Sequence, residues 1–101
     1  MIKHIVIWKL KNKTMPLDEC ADALAIRAAL QGLVGKIPGL LKAEVGIDFR
    51  GKESSGDIVL YSEFASREAL ENYQNHPEHV RVGREIVRPA TCDRKMIDYE
   101  V

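Results

Sequence analysis

The chain has 101 residues, 46% of them hydrophobic, and its 15 basic and 15 acidic residues cancel. This length predicts one domain, spanning residues 1–101, that buries a core of its own and would gain stability from further burial in a dimer. The balanced charge argues against a protein that binds nucleic acid or an anionic membrane, because both usually require a surplus of Lys and Arg.

The two cysteines, Cys20 and Cys92, are too few for a disulfide framework or a metal cluster. No run approaches the roughly 20 apolar residues that cross a bilayer, and nothing at the N-terminus resembles a secretion signal. We therefore expect a soluble, cytoplasmic protein in a reducing compartment.

The first predicted strand is apolar on both sides. It runs from Ile2 to Leu10, with one face formed by His4, Val6, Trp8 and Leu10 and the other by Ile5 and Ile7. A long amphipathic helix should follow, with Thr14 as its cap and Pro16, Asp18 and Glu19 in its first turn. Its apolar face would consist of Ile26, Ala29, Leu30, Leu33 and Ile37, and the glycines from Gly35 to Gly39 would end it.

Two strands are predicted next. Residues 41–49 alternate strictly, with Leu41, Ala43, Val45, Ile47 and Phe49 on one side. A loop rich in Gly and Ser, from Arg50 to Gly56, should lead into a third strand from Asp57 to Phe64. The third strand again has apolar residues on both sides.

A pair of helices and a last strand complete the prediction. Ser66 is placed to cap a helix that ends near Asn75, and Pro77 favours the start of another, which should run to Pro89. The last strand is expected from about Cys92 to Tyr99. The order of elements predicts an α+β, ferredoxin-like βαββαβ fold, in which the helices cover one face of an antiparallel four-stranded sheet.

The other sheet face would also be apolar, because strands one, three and four have apolar side chains on both sides. A second copy packed sheet against sheet would remove this surface from water. We expect a homodimer that forms through the sheet faces.

The segment from Tyr73 to His79 contains a phenol and two imidazoles around Pro77. These side chains often carry out acid/base chemistry. His79 should lie in the first turn of its helix, where the partial positive charge of the helix end favours a neutral ring that can accept a proton. A purely structural reading is also open, since such residues at a helix junction can cap, pack and hydrogen-bond.

Metals and cofactors have little support in the sequence. The spacing of His76 and His79 could supply two metal ligands, but a zinc site needs a third from elsewhere, and His4 is the one other histidine. The chain has no Gly-rich phosphate loop after a strand and no nucleophile elbow. We predict neither a metal nor a cofactor.

Several short segments resemble the stress-response A/B barrel family nearly end to end. They are His4-Ile5-Val6, Ile37-Pro38-Gly39, Glu44-Val45-Gly46, Tyr73 with His76-Pro77 and His79, and Asp98-Tyr99. The resemblance implies a dimeric α+β barrel. Many members of the family have no assigned activity.

One plant member of that family is a cofactor-free enzyme that closes a ring in a linear polyketide. The resemblance places its base on His79, its assisting tyrosine on Tyr73 and a pocket histidine on His4. Another pocket histidine of that enzyme falls on Asp57, and an aromatic residue of its first helix falls near Leu30. These two departures argue against the same substrate and reaction.

Three functions are open at this point. The first is a small-molecule binder or cofactor-free enzyme with a pocket between sheet and helices, in which His79 and Tyr73 are catalytic and His4, Trp8 and His76 bind ligand. The second is a non-catalytic, structural or stress-protective dimer. The third is an anion or partner site on a basic stripe formed by Arg81, Arg84 and Arg88, for which a solvated outer face is the alternative.

Overall fold

The computed structural model describes residues 1–101 and has one four-stranded antiparallel sheet with its helices packed on a single face. The elements are β1 (Ile2–Leu10), α1 (Ala21–Gln31), β2 (Leu40–Ile47), β3 (Ile58–Phe64), α2 (Arg67–Asn75), α3 (Pro77–Val82), α4 (Arg88–Ala90) and β4 (Thr91–Glu100). A 3₁₀ turn (Leu17–Glu19) precedes α1, and a π-helical segment (Gly83–Val87) joins α3 to α4. The predicted α+β, ferredoxin-like fold is confirmed.

The strand order is β2-β3-β1-β4, so β1 lies inside the sheet and pairs with both β3 and β4. His4 of β1 is opposite Ser62 of β3 and Asp98 of β4. Paired residues of neighbouring strands project to the same face. The helix-facing side of the sheet therefore brings Asp98 next to His4.

The first helix is shorter than predicted at both ends. Pro16 is extended (φ −73°, ψ 151°), and the chain makes a separate turn that buries Leu17 before α1 begins. Thr14 thus caps no helix, and Cys20 is the residue before α1. After Gln31 the chain continues in turns, from which Leu33 and Ile37 still reach the core.

Gly39 closes the connection into β2. Its φ of +86° is in the left-handed region, which favours glycine, and a Cβ there would lie 2.6 Å from the Cβ of Ala69. The absence of a side chain at Gly39 thus lets α2 pack closely against this turn.

The alternation predicted for the second strand is wrong at both ends. The pairing of β2 with β3 shifts register between Leu40 and Lys42, so Leu40 is buried and Leu41 is 53% exposed. An extra residue in one strand changes which side chains face the core. Phe49 follows the end of β2 and is 92% exposed.

The helix junction agrees with the prediction. The Ser66 hydroxyl accepts a hydrogen bond from the Ala69 N–H (3.1 Å), α2 ends at Asn75, and α3 begins at Pro77. The helical run then continues through the π-helical segment to Ala90, one residue beyond Pro89. No helix of the protein is both long enough and apolar enough to span a membrane.

The second face of the sheet has no cover within the chain. It carries the apolar and aromatic side chains of Ile5, Ile7, Val59, Tyr61, Ile97 and Tyr99, among which Ile97 is 58% exposed. We call this surface the open face.

Candidate functional site

A cavity of about 290 Å³ lies between the sheet and the helical run from α2 to α4. Four of the five residues predicted for a site line it: His4, Trp8, Tyr73 and His79. Apolar side chains form much of the remaining wall, among them Leu30 and Leu60. The cavity therefore combines an apolar interior with a small number of polar atoms, as sites for small organic molecules do.

Tyr73 projects from α2 into the core and is 2% exposed. Its ring packs against Phe64, with centroids 4.8 Å apart, and against His79, with centroids 4.2 Å apart. Every fully enclosed side-chain nitrogen or oxygen has a hydrogen-bond partner. The Tyr73 hydroxyl has none in the protein, so it must be reached from the cavity. Burial raises the pKa of Tyr73, which keeps the phenol neutral and able to donate.

His79 lies in the first turn of α3, and its Nδ1 is 3.3 Å from the Gln74 carbonyl oxygen. A carbonyl oxygen only accepts, so Nδ1–H is the donor and Nε2 carries the lone pair of the neutral ring. Burial is the largest cause that lowers the pKa of His79, and the neighbouring His4, Arg94 and Arg88 lower it further. The sequence predicted the same lowering of the His79 pKa from its position at the helix end, but burial is the main cause.

His4 is 3% exposed on β1, and its Nδ1 hydrogen-bonds the Asp98 carboxylate of β4. This contact fixes the ring orientation and directs the proton of the neutral ring to Nδ1. The His4 ring also meets the edge of Tyr73, with centroids 6.2 Å apart. Sequence reasoning placed His4 in the pocket but missed Asp98 as its partner, since only the register between β1 and β4 reveals the pair.

Two arginines in the cavity wall were not predicted as a set. Arg94 comes from β4 and Arg88 from α4. The proposed basic stripe does not act as one surface, because Arg81 pairs with Glu78 (3.6 Å) and Glu85 (3.4 Å). The π-helical segment between Arg81 and Arg88 changes the helical phase, which separates Arg88 from the stripe and turns it to the cavity.

His76 lies outside the cavity wall, unlike the other predicted site residues. Its Nδ1 accepts a hydrogen bond from the Glu78 N–H (3.1 Å), so the ring caps α3. An imidazole nitrogen occupied in this way has no lone pair left there for a ligand. No group of three or more His, Cys, Asp or Glu side chains is placed to hold a metal ion.

Asp57 also lies outside the cavity wall. It is 7% exposed, and its carboxylate accepts hydrogen bonds from the Leu10 N–H (2.8 Å) and the Lys13 ammonium (3.3 Å). These contacts tie the end of β1 to the start of β3. Where the resemblance placed a pocket histidine, this chain therefore has a structural carboxylate.

Residues 2–101 match the model of the stress responsive A/B barrel domain. The chain belongs to this family. A curated relative, a stress-response A/B barrel domain-containing protein of Arabidopsis thaliana, is 29% identical over 98% of the chain. The chain spans 36% of the length of that relative. The resemblance read from the sequence is thus confirmed.

Solved structures share the fold of this A/B barrel chain. A dimeric protein of unknown function with a ferredoxin-like fold, from Bacteroides fragilis, is 32% identical, with a TM-score of 0.84 over 99% of this chain and 95% of that one. A hydroxynitrile lyase from Passiflora edulis is 18% identical, with a TM-score of 0.80 over 99% and 92% of the two chains. At 18% identity, the similarity to the hydroxynitrile lyase shows only that the two proteins share a fold.

Proposed function

We propose that this A/B barrel protein binds a small organic molecule in the cavity between its sheet and its helices, and that Tyr73 and His79 carry out cofactor-free acid/base chemistry on it. The observation that carries the proposal is the pairing of a neutral imidazole with an unpartnered phenol, 4.2 Å apart by ring centroids, in a mostly apolar cavity. Because the phenol hydroxyl is open to the cavity and has no partner in the protein, it is free to bind a ligand.

The chemistry that fits this pair is proton abstraction from a carbon next to a carbonyl group. The lone pair on His79 Nε2 takes the proton, the electrons of the C–H bond form the C=C bond of an enolate, and the carbonyl π electrons move to oxygen. The Tyr73 hydroxyl donates a hydrogen bond to that oxygen as its negative charge develops. A base placed in this way contributes about 10²–10⁴-fold to the rate.

His4 would position the ligand from the opposite wall. Its Nδ1 is engaged by Asp98, so Nε2 is the nitrogen that remains for a hydrogen bond to the ligand. The Asp98 carboxylate thereby acts on the ligand only through His4.

We also propose that the protein is a homodimer formed by two open faces packed together. The open face is apolar and has no cover within the chain, and the Bacteroides fragilis relative, 32% identical, is dimeric. A two-fold contact between identical faces is the commonest way to bury such a surface. Phe49, 92% exposed beside Ile7 and Val59 at the edge of this face, would gain cover from the partner.

A cytoplasmic location belongs to the same proposal. Cys20 is buried and Cys92 is exposed, and both are free thiols. An exposed free thiol is easier to maintain in a reducing compartment.

A thermal-shift screen tests the binding proposal. The parent and the Tyr73→Phe/His79→Ala variant would be compared against small aromatic, polyketide-like and carboxylate compounds, because a ligand of the native state raises the melting temperature. The matched controls are Tyr99→Phe and His76→Asn, which change the same residue types outside the cavity. Asn at position 76 keeps a side chain that is able to cap α3.

We expect compounds that stabilise the parent and both controls but not the double variant. If no compound stabilises the parent and the double variant itself melts far below the controls, the side chains at the junction are structural. The alternative function, a non-catalytic stress-protective dimer, would then be favoured.

A further inference from the structure

The cavity has a local surplus of positive charge. Arg88 and Arg94 line it from different elements, and neither forms an ion pair with a carboxylate. No Asp or Glu contributes to its wall, and Asp98, which contacts the lining residue His4, is engaged by that ring. Because the whole chain has zero net charge, this surplus is local and is balanced by acidic residues elsewhere.

We propose that the ligand of this cavity carries a carboxylate, which Arg88 and Arg94 bind while the ligand's carbonyl group faces Tyr73 and His79. This inference rests on the proposed function and names its substrate class as small oxo-carboxylates. Guanidinium groups suit a carboxylate because their planar N–H donors can form paired, charge-assisted hydrogen bonds to its two oxygens.

The positions of the two arginines support this assignment. Both lining side chains are exposed, whereas Tyr73 is buried and His79 is intermediate, which places the arginines on the solvent side of the cavity. The charges of both arginines reach His79, since they lower the pKa of its imidazole. An anion on the solvent side would thus hold its reacting carbon within range of the Tyr73/His79 pair.

The size and lining of the cavity limit the rest of the ligand. Its volume of about 290 Å³ is just below the roughly 300 Å³ at which the range of small-molecule sites begins. Trp8, Leu30 and Leu60 offer an apolar wall. A compact oxo acid with one aromatic ring or a short alkyl chain matches these features better than a large cofactor or a nucleotide.

The test uses a series of oxo-carboxylates from levulinate to 3-benzoylpropionate, each paired with its carboxamide. The two members of a pair differ in charge but little in shape. Dissociation constants would be measured by calorimetry and by NMR of the His79 imidazole, for the parent and for Arg88→Gln/Arg94→Gln. The control is Arg84→Gln, because Arg84 is an exposed arginine of the same helical run that does not line the cavity.

We expect at least one carboxylate to bind the parent about tenfold to a hundredfold more tightly than its carboxamide, the range typical of hydrogen bonds to a charged group. The double variant should lose this difference and Arg84→Gln should keep it. Binding of the carboxylate should also weaken as salt concentration rises.

Two results overturn the inference. One is equal binding of acid and amide by the parent and the double variant, which leaves the cavity as a ligand site but removes the carboxylate class. The other is that no carboxylate of the series perturbs the His79 signals at about 10 mM, a concentration high enough to reveal ligands with millimolar dissociation constants. Conversely, arginine-dependent binding without any effect of Tyr73→Phe or His79→Gln on ligand chemistry would support the anion site and contradict the proposed reaction.

Discussion

The ring of His79 lies 4.2 Å from the ring of Tyr73, centroid to centroid, although Pro77 starts a new helix between them. His76 is extended (φ −69°, ψ 135°) and caps α3 with its side chain, so the chain turns sharply before Pro77. This turn returns His79 to the side of α2 that carries Tyr73. The two groups therefore depend on the same junction for their relative position.

The imidazole of His79 should titrate with a pKa below 6.5, its ordinary value. Burial is the main cause, and three neighbouring groups also disfavour protonation of the ring: His4 from β1, Arg94 from β4 and Arg88 from α4. NMR titration measures this directly. In Arg88→Gln/Arg94→Gln the pKa should rise towards 6.5, whereas an unchanged value would show that the arginines act too far away.

The same shift makes stability depend on pH. The folded state holds the His79 proton less tightly than the unfolded state, so the unfolded chain binds more protons as pH falls below 6.5. The contribution of His79 to the unfolding free energy is complete above pH 6.5 and is lost as pH falls through the folded pKa. The unfolding free energy, measured by urea denaturation, should fall less steeply with decreasing pH in His79→Gln than in the parent. An equal pH dependence of the two proteins would contradict this origin.

Gly83 offers a way to fill the cavity without disturbing the fold. It lines the cavity with helical dihedral angles (φ −61°, ψ −46°), and a Cβ at this position would meet no atom within 4 Å beyond its own helical backbone. Gly83→Ala should raise the unfolding free energy by up to about 1 kcal/mol, because glycine is the weaker helix former. Gly83→Leu should stay folded and lose ligand affinity.

Calorimetry against the best compound from the thermal-shift screen would compare the two glycine variants with the parent. If Gly83→Leu binds that compound as tightly as the parent does, the ligand lies elsewhere on the protein.

The open face should control assembly. Ile97 is 58% exposed on this face, beside Ile5 on the neighbouring strand. A carboxylate there would be buried without a partner in the dimer, so Ile97→Asp should sediment as a monomer. Val80→Asp, at a residue 42% exposed on the helical side, is the control and should remain dimeric. Dissociation of the control with retention of the Ile97→Asp dimer would place the interface on the helices.

Asp57 should affect stability and leave ligand binding unchanged. Asp57→Ala removes the acceptor of the buried Leu10 N–H and should lower the unfolding free energy by about 1–3 kcal/mol. Asp57→Asn retains an acceptor oxygen and should cost less. Chemical denaturation measures both changes, and a loss of ligand affinity without destabilisation would assign Asp57 to the site instead.

Local rules were sufficient for the helix junction and the first strand. The proline at Pro77 and the cap at Ser66 each depend on one or two neighbouring residues, so their effects can be read without the fold. The register shift at Leu40 could not be predicted, because an alternating pattern does not show where a strand has an extra residue.

The polar wall of the cavity was predicted only in part for a related reason. Pairing between the first and last strands places Asp98 against His4 and brings Arg94 into the wall, and the sequence alone does not show this pairing. Arg88 faces the cavity because the π-helical segment changes the phase of the helix before it. His79 and Tyr73 were found because their chemistry is concentrated in one short segment.

The most direct test of the proposed chemistry is deuterium incorporation from D₂O at the carbon next to the ketone of 3-benzoylpropionate and its carboxamide. We predict that the parent accelerates exchange of at least one of them over free imidazole at the same concentration, by a factor within about 10²–10⁴, and that His79→Gln and Tyr73→Phe each lose most of this acceleration. Exchange by the parent no faster than by imidazole, or equally fast in both variants, would contradict the account.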